Sequence, residues 1–520
     1  MPIQKIKILL IVLLIPVFNL SATISGRSFF TVPTLFRPAS YEQIAATRQQ
    51  LQINDLDNRH HFSVTPFGGT SLDGDQLAQY FLPIGNNVTC KTTLMVGEVG
   101  SDAANNNRVD LLAHYFKVVT AALPSDGGLY DKTDYYFQSQ LSFAPKHTFW
   151  GVNLNYRYHL SRYLDKGYWV EIAAPLVRVE NDLGLREEII NAGSGAVPTD
   201  YFSNMVAAFK QADWNYGKID GARSKVGLAD LQLRAGYVYV NEKHYFLNTY
   251  FGILLPTGDK PTCEYLFEPI IGSGGRLGVF SGGSAGVRIW AKCERAVYWM
   301  VDTAGTYFFA NNQLRSLDLL GRPLSRYLPV FLSRDATQTN PGINSFTLPV
   351  EVAASSVRDL NTAFVYKQGG LHAELGYHFY GRPAEELSLL HSLGDSLVIA
   401  SDLHTDISSG AEELIYDEPS DNANAHFSRN HASIGRYLQV KNDQNSSGSD
   451  TYLPLTDAEL DLNSGAHPAM LTHAFYGAIG YHWQETNYPL FMALGGAWET
   501  GSDNAVLAKM MVWCKLDLSF

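Results

Sequence analysis

Apolar and polar residues alternate with a period of two through long parts of this chain, and the alternation is sharpest at its end. Over residues 505–520 the even positions Ala508, Met510, Val512, Cys514, Leu516, Leu518 and Phe520 form one apolar face, while Lys509, Lys515, Asp517 and Ser519 mark the other. Successive side chains of a strand point to opposite faces, so this pattern describes a strand between two unlike surroundings. A second clean case sets Trp150, Val152, Leu154, Tyr156, Tyr158 and Leu160 against Gly151, Asn153, Asn155, Arg157 and His159. The same signal recurs at 135–143, 231–239, 245–255, 285–291, 297–307, 360–366, 371–379, 475–483 and 490–498. Tyr and Trp gather at the strand ends, as they do where strands meet lipid headgroups.

The connections alternate in length. Short turns follow Ser161, Asn241, Lys292, Lys367 and Gln484, whereas the intervening loops are long: 181–224, 311–356 and 381–471. Tight turns on one side and long loops on the other are the asymmetry of a transmembrane barrel. Twelve strands are counted from Tyr135 onward, and a strand at 60–70 with one partner before Pro124 brings the number to fourteen. The sequence therefore predicts an all-β fold: a closed antiparallel transmembrane β-barrel of about 12–14 strands with short periplasmic turns, long external loops and a few short helices.

Ahead of the barrel, Lys5 and Lys7 precede an apolar run from Ile8 to Phe18 and small residues near Ala22. Residues 1–22 are read as a secretory signal peptide, with an uncleaved anchor as the alternative. Residues 23–59 show no period of two and are read as an N-terminal periplasmic or lumenal segment, helical around Tyr41–Leu51, with a plug as one reading; residues 60–520 are the barrel with its loops. No later segment approaches the ~20 apolar residues of a membrane helix. Helical patterns appear at Gln76–Phe81, at Tyr201–Trp214, where Phe202, Met205, Val206 and Phe209 share a stripe, and at Glu385–Leu393.

Composition changes this picture little. At 46% hydrophobic and 17% charged, with a net charge of −12, the chain lacks the clustered Lys and Arg that nucleic acid needs. Cys90, Cys263, Cys293 and Cys514 are spaced too irregularly for a zinc or CxxC site; Cys90 and Cys263, both in loops, form a candidate disulfide pair.

The candidate functional residues lie on the face opposite the lipid: Arg157, Glu171, Arg234, Arg288, Asp302, His372, Glu374 and His378. In a wide barrel they would line water and select solutes by charge; in a narrow one they would pair with one another into a neutralised network, and their mixed signs argue against a strongly ion-selective pore. His372, Glu374 and His378 share a strand face but spread over roughly 20 Å, too far for one ion. Asp443-x-Asn445-x-Ser447-Gly448 begins like a calcium loop, yet Pro454 stands where a bidentate Glu is needed. Gly282-Gly283-Ser284-Ala285-Gly286 has the spacing of a nucleophile elbow but lies inside an alternating strand. No catalytic, cofactor or metal site is read, so the chain is not expected to be an enzyme.

The terminal strand ending in Phe520 resembles Gram-negative outer-membrane β-barrels, whose last residue is commonly Phe, read by the barrel-insertion machinery. Gly227-Leu228-Ala229-Asp230-Leu231 and Gly252-Ile253-Leu254-Leu255-Pro256-Thr257-Gly258-Asp259 are similar to strand-end motifs of phenol-degradation-type transport barrels, related in architecture to the long-chain fatty-acid channel. The resemblance implies a bacterial outer-membrane location, Phe520 as assembly signal, outer-membrane lipid and the assembly machinery as partners, and uptake of small solutes. Two functions follow as expectations: a passive, partly plugged channel for small solutes, or a structural or adhesive surface barrel with a closed lumen.

Overall fold

The computed structural model describes residues 26–45, 60–72, 74–82, 92–96, 108–109, 137–160, 167–192, 202–242, 244–321, 323–328, 330–331, 339–393, 397–399, 405–406, 411–412, 455–483, 488–501 and 505–520. The signal-peptide reading, Cys90 and the calcium-like stretch at 443–454 lie outside these residues.

Twelve antiparallel strands close on themselves. In chain order they are β1 (His60–Ser71), β2 (Lys146–His159), β3 (Tyr168–Asp182), β4 (Leu231–Asn241), β5 (Tyr245–Leu255), β6 (Gly278–Lys292), β7 (Arg295–Phe308), β8 (Ser355–Gln368), β9 (Leu371–Arg382), β10 (Met470–Trp483), β11 (Leu490–Gly501) and β12 (Lys509–Ser519). Each pairs with the next, and β12 pairs back onto β1. At that seam Phe520 exchanges both backbone hydrogen bonds with His60 at 2.9 Å and stacks on its ring, centroids 5.0 Å apart. Closure leaves no free sheet edge, the condition for strands to cross hydrocarbon.

The alternation read from the sequence is the barrel's inside and outside. In β12 Lys509, Met511, Trp513, Lys515, Asp517 and Ser519 are buried, while Met510, Val512 and Leu516 are exposed. Exposed Trp150, Phe251, Trp299, Leu375 and Leu494 continue that apolar outer belt around the ring. Aromatic pairs such as Tyr168 with Tyr237 (4.6 Å) and Tyr481 with Trp483 (4.9 Å) band its turn side.

Strand β4 has a second arm. Arg223–Leu228 pairs with the outer half of β3, Leu231–Asn241 with its inner half, and the register slips by one residue at Ala229–Asp230. Such a bulge bends a strand without breaking the ring.

Three sequence expectations are corrected. The alternating stretch at 135–143 is not a barrel strand: Phe137–Ser142 pairs with Thr93–Val96 and Arg186–Ala192 in a loop sheet. That sheet too has one buried and one wetter face, and period two reports unlike faces without saying what they touch. Glu385–Leu393 is not helical; Leu387–Leu389 is a short strand on Val350–Val352. Within Tyr201–Trp214 helix is confined to Met205–Ala208, capped by the Asn204 side chain, which accepts from Ala207 N at 2.7 Å.

The long loops form a cap with its own apolar core. Phe30, Leu77, Tyr80, Phe81, Phe209 and Trp214 belong to that core, with the helix Gly74–Phe81 lying across it. The cap sits on the side opposite the turns, over the barrel's outer mouth.

Candidate functional site

Part of the N-terminal segment packs against side chains on the inner face of the barrel wall. Residues 26–32 lie in the cap: Arg27 N donates to Tyr80 O at 3.1 Å, Ser28 N to Ser464 O at 2.9 Å, and Phe30 packs on Tyr80 and Phe81. The chain then descends into the lumen, where Phe36, Arg37, Ala39, Ser40, Tyr41 and Ala45 are buried. This descending segment joins no strand ladder, so the backbone groups that its own turns leave open must find other partners. They do: Gln232 Nε2 donates to Phe36 O at 2.6 Å, Tyr250 Oη to Pro38 O at 3.3 Å, and Lys515 Nζ to Gln43 O and Ala45 O at 3.0 and 2.9 Å. The wall supplies these partners from β4, β5 and β12. Within the segment, Glu42 Oε1 accepts from Phe36 N at 2.9 Å and folds it back on itself, ending in the short helix Tyr41–Ile44.

Charge fixes the segment at one point above all. Arg37 Nε lies 3.0 and 3.2 Å from the two oxygens of Asp359, Arg37 Nη2 2.9 Å from Oδ1, and His378 Nε2 2.9 Å from the same Oδ1. All three groups are buried. Nearby, Tyr41 Oη lies 3.2 Å from Glu499, which also faces Lys509 Nζ at 3.4 Å.

A second network runs across the wall itself. Arg157, Glu171 and Arg234 stand opposite one another in register on β2, β3 and β4. Arg157 Nε donates to Glu171 Oε2 at 2.6 Å, and Arg234 Nε faces Oε1 at 2.9 Å. The Arg157 guanidinium also lies 4.3 Å from the Trp169 ring centroid. One buried carboxylate thus sits between two guanidiniums.

The remaining predicted residues are placed apart. Glu374 accepts from Tyr476 Oη at 2.9 Å, and His372 packs between His482 and Phe491. Asp302 is buried on the inner face of β7, in register with Ser284 and Asn361. Arg288 is at the turn side, its Nη2 2.8 Å from His244 Nδ1. His372, Glu374 and His378 therefore each have separate surroundings. Ser284 lies within strand β6. Cys263 is a buried thiol in the cap whose Sγ donates to Leu314 O at 3.1 Å; burial pushes it up to about 12.

Sequence reasoning missed Gln232, Asp359, Glu499 and Lys515 as anchors of the N-terminal segment. It also missed the glycines that make room for the wall's aromatic rings. A methyl group at Gly376 would collide with the Tyr476 ring, and one at Gly236 with the Trp169 indole. Both glycines lie on inner faces beside a large ring of the neighbouring strand, a pairing invisible without the register.

In the cap, Glu385 joins the mouth of the barrel to the loops. Its Oε2 accepts from His467 N at 3.1 Å and lies 3.4 Å from Arg315 Nη2. Burial alone would raise its pKa, but Arg382 and Arg315 outweigh burial and hold it down to about 2. A lowered carboxylate contributes stability present above its unfolded value and lost as pH falls toward the folded one. The cap is therefore expected to lose about 3 kcal/mol between pH ~4.5 and ~2. Fluorescence of Trp214, stacked on Tyr327 in the cap, should follow that loss, and Glu385→Gln should flatten the pH dependence.

No protein-family model and no curated protein matches the chain. Among solved structures it is similar to an outer membrane channel from Pseudomonas putida F1, at 11% identity over 89% of this chain and 96% of that one, TM-score 0.32. It is also similar to the transport unit of the autotransporter AIDA-I from Escherichia coli (8% identity, 92% and 95%, TM-score 0.30). A third likeness is to a Pseudomonas aeruginosa FadL homologue (7% identity, 96% and 98%, TM-score 0.26). Scores this low carry no argument about function, and the closure of this barrel stands on its own strand pairing.

Proposed function

We propose that this chain is a bacterial outer-membrane barrel that acts as a passive channel for small solutes, held shut by residues 33–45. The observation that carries the reading is the manner in which that segment is held. It meets the wall through side chains and one central ion pair, with no strand pairing, so once residues 26–32 release the cap it can leave without breaking the strand ladder of the ring. The wall left behind would bear Arg157, Glu171, Arg234, Asp302, Glu374 and His378 beside the rings of Phe67, Phe491 and Trp513, and the charged groups are those a water-filled path requires. Phe520 is the proposed assembly signal, and the apolar belt the surface that meets lipid.

The alternative, a structural or adhesive surface barrel, draws on the cap, whose apolar core makes it a firm external domain. Conductance separates the two. Full-length protein in planar bilayers should stay mostly closed, and a variant lacking residues 26–45 should give discrete steps. A deletion variant that folds yet never conducts would favour the closed surface barrel.

A further inference from the structure

Four guanidiniums gather where the cap meets the barrel's outer mouth. Arg382 ends β9, Arg276 lies two residues before β6, Arg315 belongs to the cap strand Asn311–Ser316, and Arg27 comes from the N-terminal segment. Glu385 stands among them, 3.4 Å from Arg315 Nη2 and 3.7 Å from Arg382 Nη2. Among the described residues, no other carboxylate comes within salt-bridge distance of the four. Arg276 and Arg27 turn instead to carbonyls: Arg276 Nη2 to Ala353 O at 2.8 Å, and Arg27 Nη1 to Ala466 O at 2.7 Å. Carbonyls satisfy the donors but leave the charge.

Buried charge without a counter-charge is costly. Arg315 and Arg276 are almost wholly buried, at 1% and 4% exposure. Arg382 Nε and Nη2 and Arg315 Nε are buried donors with no hydrogen-bond acceptor among the described residues. Burial and the neighbouring guanidiniums also lower the Arg276 side chain to about 10, the direction expected where positive charge is in excess. This concentration of positive charge occurs in a chain of net charge −12. Elsewhere on the inner side a carboxylate lies beside Arg37 (Asp359), beside Arg157 and Arg234 (Glu171) and beside Lys509 (Glu499), while Lys515 donates to the Gln43 and Ala45 carbonyls.

We propose that this cluster is a binding site for a small oxyanion, a free carboxylate or phosphate, held by the open donors of Arg382 and the charge of Arg276 and Arg315. Guanidinium forks match both anions in geometry. The site needs the cap and the outer mouth only, so it stands or falls apart from conduction.

The test is equilibrium dialysis of the full-length protein in neutral detergent micelles at low chloride, with radiolabelled acetate in one arm and inorganic phosphate in the other. Saturable binding of one equivalent in either arm is expected, and the arm that binds identifies the anion. Arg276→Gln with Arg382→Gln should weaken it by about tenfold or more, whereas Arg382→Lys should retain most of it. Lys210→Gln, at an exposed pair with Asp220, should leave it unchanged. Heat-shifted migration on electrophoresis checks that each variant keeps the barrel. If the unaltered protein binds neither anion saturably, the excess charge is met from within the chain and the proposal fails. Undiminished binding by the folded double variant overturns it equally.

Discussion

Replacing Glu171 by Gln is expected to lower the unfolding free energy of the barrel by about 3–5 kcal/mol. Glu171 is 5% exposed and lies between Arg157 and Arg234. The glutamine keeps the shape but leaves two guanidiniums in one interior row without their shared counter-charge. Urea unfolding in detergent, followed by tryptophan fluorescence, measures the loss. Removing a guanidinium as well, in Glu171→Gln with Arg234→Gln, should recover part of it, since the remaining Arg157 keeps the Trp169 ring and reaches the rim. A single-variant effect under about 1 kcal/mol would mean that water already screens the row, as it does for exposed pairs.

Asp359→Asn is the second substitution with a large expected effect, and it acts on a different part of the molecule. Asp359 binds Arg37 through both carboxylate oxygens and also accepts from His378. The asparagine keeps the strand β8 ladder while leaving Arg37 with Thr34 O and the Tyr380 ring. The penalty therefore falls on the seating of the lumenal segment more than on the barrel. A loss of about 3 kcal/mol would raise the unseated population about a hundredfold. Amide hydrogen exchange over residues 36–45 should quicken by that factor while the amides of β8 and β9 hold theirs. The same variant should show brief openings in bilayers. Equal exchange in the two proteins would mean that the backbone bonds from Gln232 and Lys515 suffice to hold the segment.

The barrel was legible because an exposed apolar outside and a buried inside impose a period of two that survives without any knowledge of partners. Strand β12 is the clearest instance: each side chain that the alternation assigns to the inside, from Lys509 to Ser519, is buried there. Residues 137–142 misled for the same reason, since alternation says that two faces differ and a loop sheet has two such faces as well. The inner residues were legible as a set, but their partners were not. Arg157, Glu171 and Arg234 become a row only once the register across two connections is known, and those connections are where sequence says least. The lumenal segment lay further out of reach. Its order comes from contacts such as Arg37 with Asp359, separated by 322 residues, and from a wall that had to exist before the segment could be placed. Local propensity there marks the short helix at Tyr41–Ile44 and little else.

The path of the first described residues also constrains how the molecule is made. Gly26–Val32 sits beyond the outer mouth, whereas His60 starts on the opposite rim, beside Phe520. If the seam between the first and last strands zipped before the leading segment was in place, residues 26–45 would have to be threaded through a closed ring. Laying that segment across the still-open sheet avoids the passage, and the sheet then wraps around it. Biogenesis would on this account resemble rolling a tube about a rod, with the final residue of the chain as the fastening.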